Sequence, residues 1–393
     1  MKTVIVAGKR TPFGKFGGML SSFTASDLGG FAIQGALEAA RIAPQEIEEV
    51  IMGSVLQAGQ GQIPSRQAAH KAGIPMNVPT ETINKVCASG MRSVTLADQI
   101  IRSGDANVIV AGGMESMSNA PYLAPTNRFG SRMGNAVLLD DVLTDGLTCA
   151  FHPEHIHMGA YGDASARSFS ITRLDQDLWA TRSQQLAVDA IENRRFTDEL
   201  ISIEKQDRKG NVTTLVQDEA PRNGTTVEVL QRLKPAFNDD GTVTAGNAPG
   251  INDGAAALVL MSDEEAERRQ IEPLATIIGH TTVAVEASRF PETPGIAIQK
   301  LLKKTNKSLE DIDLFEINEA FAVVALIAKD FAKLNTEKMN VNGGAVALGH
   351  PIGASGTRII LTLAHQLKRQ GGGIGIAAIC SGGGQGDAIM IEV

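Results

Sequence analysis

The segment Asn84-Lys-Val-Cys-Ala-Ser-Gly-Met91 puts a cysteine where an expected strand, Thr80 to Asn84, turns into a helix. From Met91 to Arg102 the apolar residues Val94, Leu96, Ala97, Ile100 and Ile101 recur at helical spacing, with polar residues between them. Cys87 is therefore expected near a helix N-terminus, where free backbone N–H groups and the macrodipole favour an anion and hence a thiolate. A thiolate there would be a nucleophile. The alternative is a small apolar core residue, since free cysteines are often buried. A second stretch repeats the first. Ala88-Ser-Gly-Met-Arg92 opens a helix followed by the strand Val108 to Gly113, and Ala354-Ser-Gly-Thr-Arg358 opens another followed by the strand Ile374 to Gly383. The chain reads as internally duplicated. In the second copy the turn carries His350, and the following strand delivers Cys380 into Cys380-Ser-Gly-Gly-Gly-Gln-Gly386. Two cysteines and a histidine thus occupy related turns and strand ends.

With these residues in view, the sequence resembles the thiolase family, most of all its short-chain members that form acetoacetyl-CoA. The resemblance covers nearly the whole chain. It runs through Arg10-Thr-Pro-Phe-Gly-Lys-Phe-Gly-Gly18, Asn84-Lys-Val-Cys87, Gly112-Gly-Met-Glu-Ser116, His157-Met-Gly159, Thr242-Val-Thr-Ala-Gly-Asn-Ala248, Asn318-Glu-Ala-Phe321, Gly349-His-Pro-Ile-Gly353 and Cys380 to Gly386. A glycine cluster alone would be weak, but this ordered set is specific. The resemblance implies an α/β protein of two thiolase-like halves, with helices sandwiched between two mixed sheets in a five-layer αβαβα arrangement and an inserted loop lobe. It also implies a reversible Claisen condensation of two acetyl-CoA molecules, with acetyl-CoA and CoA as substrates and no cofactor.

Carbon–carbon bond formation between two thioesters needs an acyl group held on a good nucleophile, a base for a weakly acidic α-proton, and fixed donors facing the enolate oxygen. Cys87 is the candidate nucleophile. By resemblance Cys380 is the base, and His350 with a water held by Asn318 forms one donor site. Backbone N–H groups of Cys87 and Gly382 would form a second, where glycines let the backbone approach a ligand closely. Singly, His350 could cap a loop, Asn318 could cap the helix that follows it, and Cys380 could fill a strand end. The resemblance further implies that His157, Met158, Leu147, Ala245, Ala248 and Phe321 line the substrate pocket, with Met158 limiting the acyl chain.

Cys149, His152, His155 and His157 lie close together with Glu154 among them, which resembles a transition-metal site. A loop containing Pro153 offers no fixed ligand geometry, and thioester chemistry needs no metal, so no metal is expected. The sequence departs from the short-chain pattern twice. Pro249 in Gly246-Asn-Ala-Pro-Gly250 removes a hydroxyl and an N–H beside the expected pantetheine path, and Ala160-Tyr-Gly-Asp163 follows His157-Met-Gly159 in place of the usual run. Both bear on chain-length selectivity. The phosphates of CoA call for local positive charge, available in Arg208, Lys209, Arg222, Arg232 and Lys234. Each could be mere solvated surface charge; Arg222, in Pro221-Arg-Asn-Gly224, matches the family position near the adenine.

The elements that must position these residues follow from the chain as a whole. Its 393 residues exceed one ordinary core, and 43% apolar residues with 41 glycines suit a turn-rich globular α/β protein. Alternating strands and helices over Val4 to Gly112 give a first unit, with a helix from Asp27 to Arg41 capped by Ser26 or Asp27. From Asn119 the pattern breaks into proline-rich and polar sequence with a hairpin at Lys209-Gly-Asn211. We read 1–119 as the N-terminal half, completed by 249–271; 120–248 as an inserted lobe for CoA and oligomer contacts; and 272–393 as the C-terminal half. In the last, a helix is expected over Glu319 to Leu334 with Asn318 just ahead of it. The net charge of −8 argues against nucleic-acid or membrane-surface partners. No run approaches the ~18 apolar residues of a membrane span. Three cysteines fit a reducing, cytoplasmic setting better than a disulfide scaffold. Arg128-Phe-Gly-Ser-Arg-Met-Gly-Asn135, as in oligomeric relatives, implies a homo-oligomer, a tetramer built from dimers.

A fatty-acid condensing enzyme would normally lack Asn318-Glu-Ala-Phe321 and the second cysteine, and a non-catalytic carrier should have lost a key side chain. A cysteine hydrolase would turn over acetyl-CoA without condensing it. The closest rival is a 3-ketoacyl-CoA thiolase of broader chain length.

Overall fold

Val4-Ile-Val6 alternates its side chains between two cores, as a strand covered on both faces must: Val4 and Val6 enter one apolar cluster and Ile5 another. The same alternation recurs through the sheet it belongs to. The computed structural model describes residues 2–393. Its long strands are β1 (Thr3–Arg10), β2 (Glu49–Gly53), β3 (Thr80–Ile83), β4 (Val108–Ser116), β5 (Asn252–Ser262), β6 (Ala275–Ala284), β7 (Leu314–Ile317), β8 (Ile374–Ser381) and β9 (Gln385–Glu392). With the short strand Gly14–Lys15 beside β5 they form one ten-stranded mixed sheet, in the order β7-β8-β9-β6-β1-β5-β4-β2-β3. Each half follows the same path: β1 neighbours β5, then β4, then β2, just as β6 neighbours β9, then β8, then β7.

The helices that matter here are α1 (Ala25–Ala40), α2 (Pro64–Lys71), α3 (Ser89–Ser103), α4 (Met158–Ser168), α5 (Arg173–Glu192), α6 (Thr293–Thr305), α7 (Ala322–Ala332) and α8 (Ser355–Arg369). α1 and α2 pack on the outer face of the N-terminal half-sheet. α3 and α8 share a core with the inner faces of both halves, and α6 and α7 cover the outer face of the other half. That is the five-layer arrangement. It differs from the expectation in one respect: the two half-sheets are joined. Val4 pairs Thr276 and Ile5 pairs Ala275, so β1 and β6 use each other to satisfy backbone groups that an open edge would leave free.

Two helix starts also differ. α1 is capped by Thr24, not by Ser26 or Asp27: the Asp27 N–H donates to Thr24 Oγ1 at 3.2 Å and the Thr24 N–H to Asp27 Oδ2 at 2.9 Å. This reciprocal pair satisfies two donors at once, which no single cap does. The helix expected from Glu319 starts only at Ala322, with Phe321 at its cap position. Asn318 is therefore not the helix cap.

Between β4 and β5 lie α4, α5, the hairpin of Ile203–Gln206 with Val212–Leu215, and shorter turns. No helix among the described residues is long and apolar enough to cross a membrane.

Candidate active site

The repeated Ser-Gly-x-Arg segments exist because α3 and α8 meet at their first turns. A Cβ on Gly356 would fall 2.3 Å from the Met91 nitrogen, and one on Gly90 would fall 2.8 Å from the Gly353 oxygen. Only glycine permits that approach. Thr357 Oγ1 donates to the Gly90 carbonyl at 2.9 Å and locks the crossing. The turns ahead of the two helices carry Cys87 and His350, so the crossing brings both to one place, and the end of β8 adds Cys380 and Gly382.

All four line a cavity of about 320 Å³. Leu147, His157, Met158, Ala245, Ala248 and Phe321 line it too, with Pro249. Asn318 lies just behind: its Nδ2 is 3.5 Å from His350 Nε2, while its buried Oδ1 finds no donor among the described residues. His350 Nδ1 is 2.6 Å from Ser355 Oγ, which also donates to the Pro351 carbonyl at 2.9 Å. The hydroxyl has one proton, so donation to Pro351 puts the imidazole proton on Nδ1 and leaves Nε2 as an acceptor.

Burial sets the protonation states. Cys87 is half-buried on the cavity wall, and the protein packed around its sulfur pushes its pKa up to about 12. The N–H groups of Gly382 and of Cys87 itself work the other way, and the Glu115 carboxylate adds to the rise. The expectation of a ready thiolate is thus overturned: two backbone donors do not offset the loss of water. Cys380 too is raised well above its ordinary value, by burial first and then by the neighbouring Cys87 sulfur. His350 is pushed down to about 3 by burial, with Arg358 adding to the effect. At neutral pH the site therefore holds two thiols and a neutral imidazole.

Several sequence features prove structural. Glu319, inside Asn318-Glu-Ala-Phe321, is buried and accepts from Trp179 Nε1 at 2.9 Å, Ser183 Oγ at 2.7 Å, Asn340 Nδ2 at 2.9 Å and the Val346 N–H at 3.0 Å. Glu115 accepts from the N–H groups of Val55, Leu56 and Gly353, tying the chain after β2 to the turn that carries His350. Asp163, one of the departures noted in the sequence, points away from the cavity. Its carboxylate takes Asn238 Nδ2 at 2.8 Å and the N–H groups of Thr242 and Val243 at 2.7 and 2.8 Å. Of the two departures only Pro249 faces the substrate space.

His157 caps α4, its Nδ1 accepting from the Gly159 N–H at 3.0 Å, and its ring stacks on Phe237 at 4.4 Å between centroids. Burial lowers its pKa to about 4. His152 Nδ1 accepts from the Glu154 N–H, and no group of three or more His, Cys, Asp or Glu among the described residues is placed to hold a metal. Arg222 does not line the cavity; it stands on an exposed turn whose N–H donates to Gln184 Oε1 at 2.8 Å. Phe237 and Phe290 do line it and were missed by the sequence reading. A lone Phe237 in a polar stretch was the only signal.

Comparison with known proteins agrees over the full length. The model of the thiolase N-terminal domain matches residues 3–264 and that of the thiolase C-terminal domain residues 271–393. A "Probable acetyl-CoA acyltransferase" of Staphylococcus aureus (strain COL) is 46% identical over 391 residues, covering 100% of this chain and 99% of that protein. The "Acetyl-CoA acetyltransferase" of Chromobacterium violaceum is 46% identical over 393 residues, covering 100% of each. The crystal structure of the Bacillus anthracis acetyl-CoA acetyltransferase superposes with a TM-score of 0.97 at 43% identity, covering 100% of this chain and 98% of that one. Two cysteines and a histidine on one cavity, the duplicated five-layer fold and full-length matches to both domains lead to one assignment: this chain belongs to the thiolase family.

Proposed function

We propose that the chain is an acetyl-CoA C-acetyltransferase, joining two acetyl-CoA molecules reversibly into acetoacetyl-CoA and CoA through an acetyl-Cys87 intermediate. The observation that carries the reading is the meeting of Cys87, Cys380 and His350 on one largely apolar cavity. His350 Nε2 takes the proton of the Cys87 thiol as the sulfur attacks the first thioester, and the N–H groups of Cys87 and Gly382 face the developing oxyanion. The departing CoA sulfur takes the proton of Cys380. That leaves a thiolate whose burial makes it a strong base, fit to remove the methyl proton of the second acetyl-CoA. The enolate oxygen is met by the now protonated His350 and by water held at Asn318 Oδ1, and its carbon attacks the acetyl group. The Cys87 sulfur departs and recovers its proton from His350, so every group returns to its starting state. No cofactor is part of this scheme.

A 3-ketoacyl-CoA thiolase of broader chain length in fatty-acid degradation is the second reading, favoured by Pro249 on the cavity wall. Met158, Phe237, Phe290 and Phe321 crowd the same space and favour short chains. Thiolysis rates on C4, C6, C8 and C16 3-ketoacyl-CoA should fall with length, each methylene being worth up to roughly 1–3 kcal/mol of discrimination. A preference for C16 over C4 refutes the short-chain reading.

The division at 1–119 with 249–271, 120–248 and 272–393 is our reading of the organisation, as are a cytoplasmic location, a place in lipid metabolism, the absence of nucleic-acid partners and a role for exposed Arg222 near the adenine of CoA. Phe129 and Met133 are 96% and 97% exposed on the lobe, which supports burial against further copies in a tetramer of dimers. Light scattering after size exclusion should give four chains; a stable monomer contradicts it.

A further inference from the structure

Val86, immediately before Cys87, has φ +46°, in the left-handed region. A β-branched residue there is an outlier that persists only where its surroundings impose it. The Val86 N–H donates to Asn84 Oδ1 at 3.0 Å and its carbonyl accepts from Ser89 Oγ at 2.6 Å, while Lys85 beside it ties the turn to the rest of the molecule. The Lys85 N–H donates to Ser89 Oγ at 2.8 Å, and its carbonyl accepts from Ser381 Oγ at 2.5 Å. Its Nζ donates to Asp387 Oδ1 at 2.6 Å and to Thr282 Oγ1 at 3.2 Å. Thr282 and Asp387 are directly paired across β6 and β9, so the ammonium is clasped by two strands of the other half of the molecule. The pair is sheltered, with side chains 14% and 3% exposed. Ser381 sits between Cys380 and Gly382. The Val86 methyls pack where a Cβ on Gly382 would come within 3.3 Å of them.

We propose that Lys85 is a positioning residue: by clasping Asp387 it holds Val86 in the left-handed conformation and so aims the Cys87 sulfur at the Gly382 N–H and Cys380. Lys85 does not line the cavity, so it acts through the turn. The proposal rests on Cys87 being the nucleophile, and its test separates the two ideas.

The test is a double-mutant cycle on the full-length enzyme. Acetylation of Cys87 by acetyl-CoA and its alkylation by iodoacetamide are followed at fixed pH by mass spectrometry. Lys85→Met should slow both at least about tenfold, the usual effect of a misdirected reacting atom, with KM for acetyl-CoA changed less than about twofold. Asp387→Asn leaves the lysine and the strand pairing in place and should slow both in the same direction; it also reads the clasp if Lys85→Met does not fold. Val86→Gly installs a residue for which a positive φ carries no steric penalty. On that background Lys85→Met should slow the reactions less than about threefold. The proposal is overturned if Lys85→Met reacts within twofold of the wild type, or if it slows both backgrounds equally, since the ammonium would then act on the sulfur directly. Failure of the wild-type enzyme to acetylate at Cys87 would remove the nucleophile assignment instead, which the iodoacetamide arm does not use.

Discussion

Cys87→Ser, incubated with acetyl-CoA, should carry no acetyl group by intact-protein mass spectrometry and should lose turnover by a factor of about 10⁴ or more. Serine puts a hydroxyl where a thiol stood, and a neutral imidazole held near pKa 3 is too weak a base to activate it. Cys380→Ala should behave differently. CoA can depart as its own thiolate, so the variant should still accumulate acetyl-Cys87, yet no base remains for the second acetyl-CoA and no acetoacetyl-CoA should form. An acetyl group on Cys87→Ser, or condensation by Cys380→Ala, overturns the division of labour. The pH dependence follows from the same burial. His350, lowered to about 3, stays neutral above that value, and Cys87, raised to about 12, stays a thiol below it. Neither changes state between pH 6 and 9, so the rate of acetylation should be flat there. A nucleophile titrating near neutrality would show a step instead.

Arg10→Ala should destabilise the fold by about 3–5 kcal/mol, the range for removing one partner of a buried ion pair. The Arg10 side chain is fully buried. Its Nε donates to Glu199 Oε1 at 2.6 Å, and Nη1 and Nη2 grip Asp218 Oδ1 and Oδ2 at 2.7 and 2.9 Å. Burial opposes its charge, but Asp218 and Glu199 together raise its pKa above the ordinary value. Removing the guanidinium strands both carboxylates. Asp218 also holds the Phe13 N–H at 2.8 Å and Glu199 the Thr362 hydroxyl of α8 at 3.2 Å, so β1, the chain before β5 and the central helix layer loosen together. The triple change Arg10→Met, Glu199→Gln, Asp218→Asn leaves no net charge buried and should recover part of the loss. Denaturant unfolding measures both; a loss under 1 kcal/mol for Arg10→Ala would show that the carboxylates find other partners.

Much of this was legible in the chain. The repeat of Ser89-Gly-Met-Arg92 in Ser355-Gly-Thr-Arg358 announced a duplicated fold, because a glycine-led helix start between two strands is a local pattern and survives in a string of letters. Cys87, His350, Cys380 and Gly382 stood at the ends of predictable elements, and they meet because those elements are copies crossing at Gly90 and Gly356. Glu319 and Asp163 were harder. Each sits in or beside a motif but spends its carboxylate on backbone and side chains far along the chain, which no spacing reveals. The joining of the half-sheets turned on two residue pairs between β1 and β6. The acidity of Cys87 was read with the wrong sign, because a helix N-terminus is visible in sequence whereas the removal of water around the sulfur is not. The family, the duplicated fold and the residues capable of the chemistry are thus all written in the order of amino acids. Their protonation states, the wall that Phe237 and Phe290 build, and the clasp of Lys85 on Asp387 emerge on folding, since each depends on desolvation or contact between residues distant along the chain.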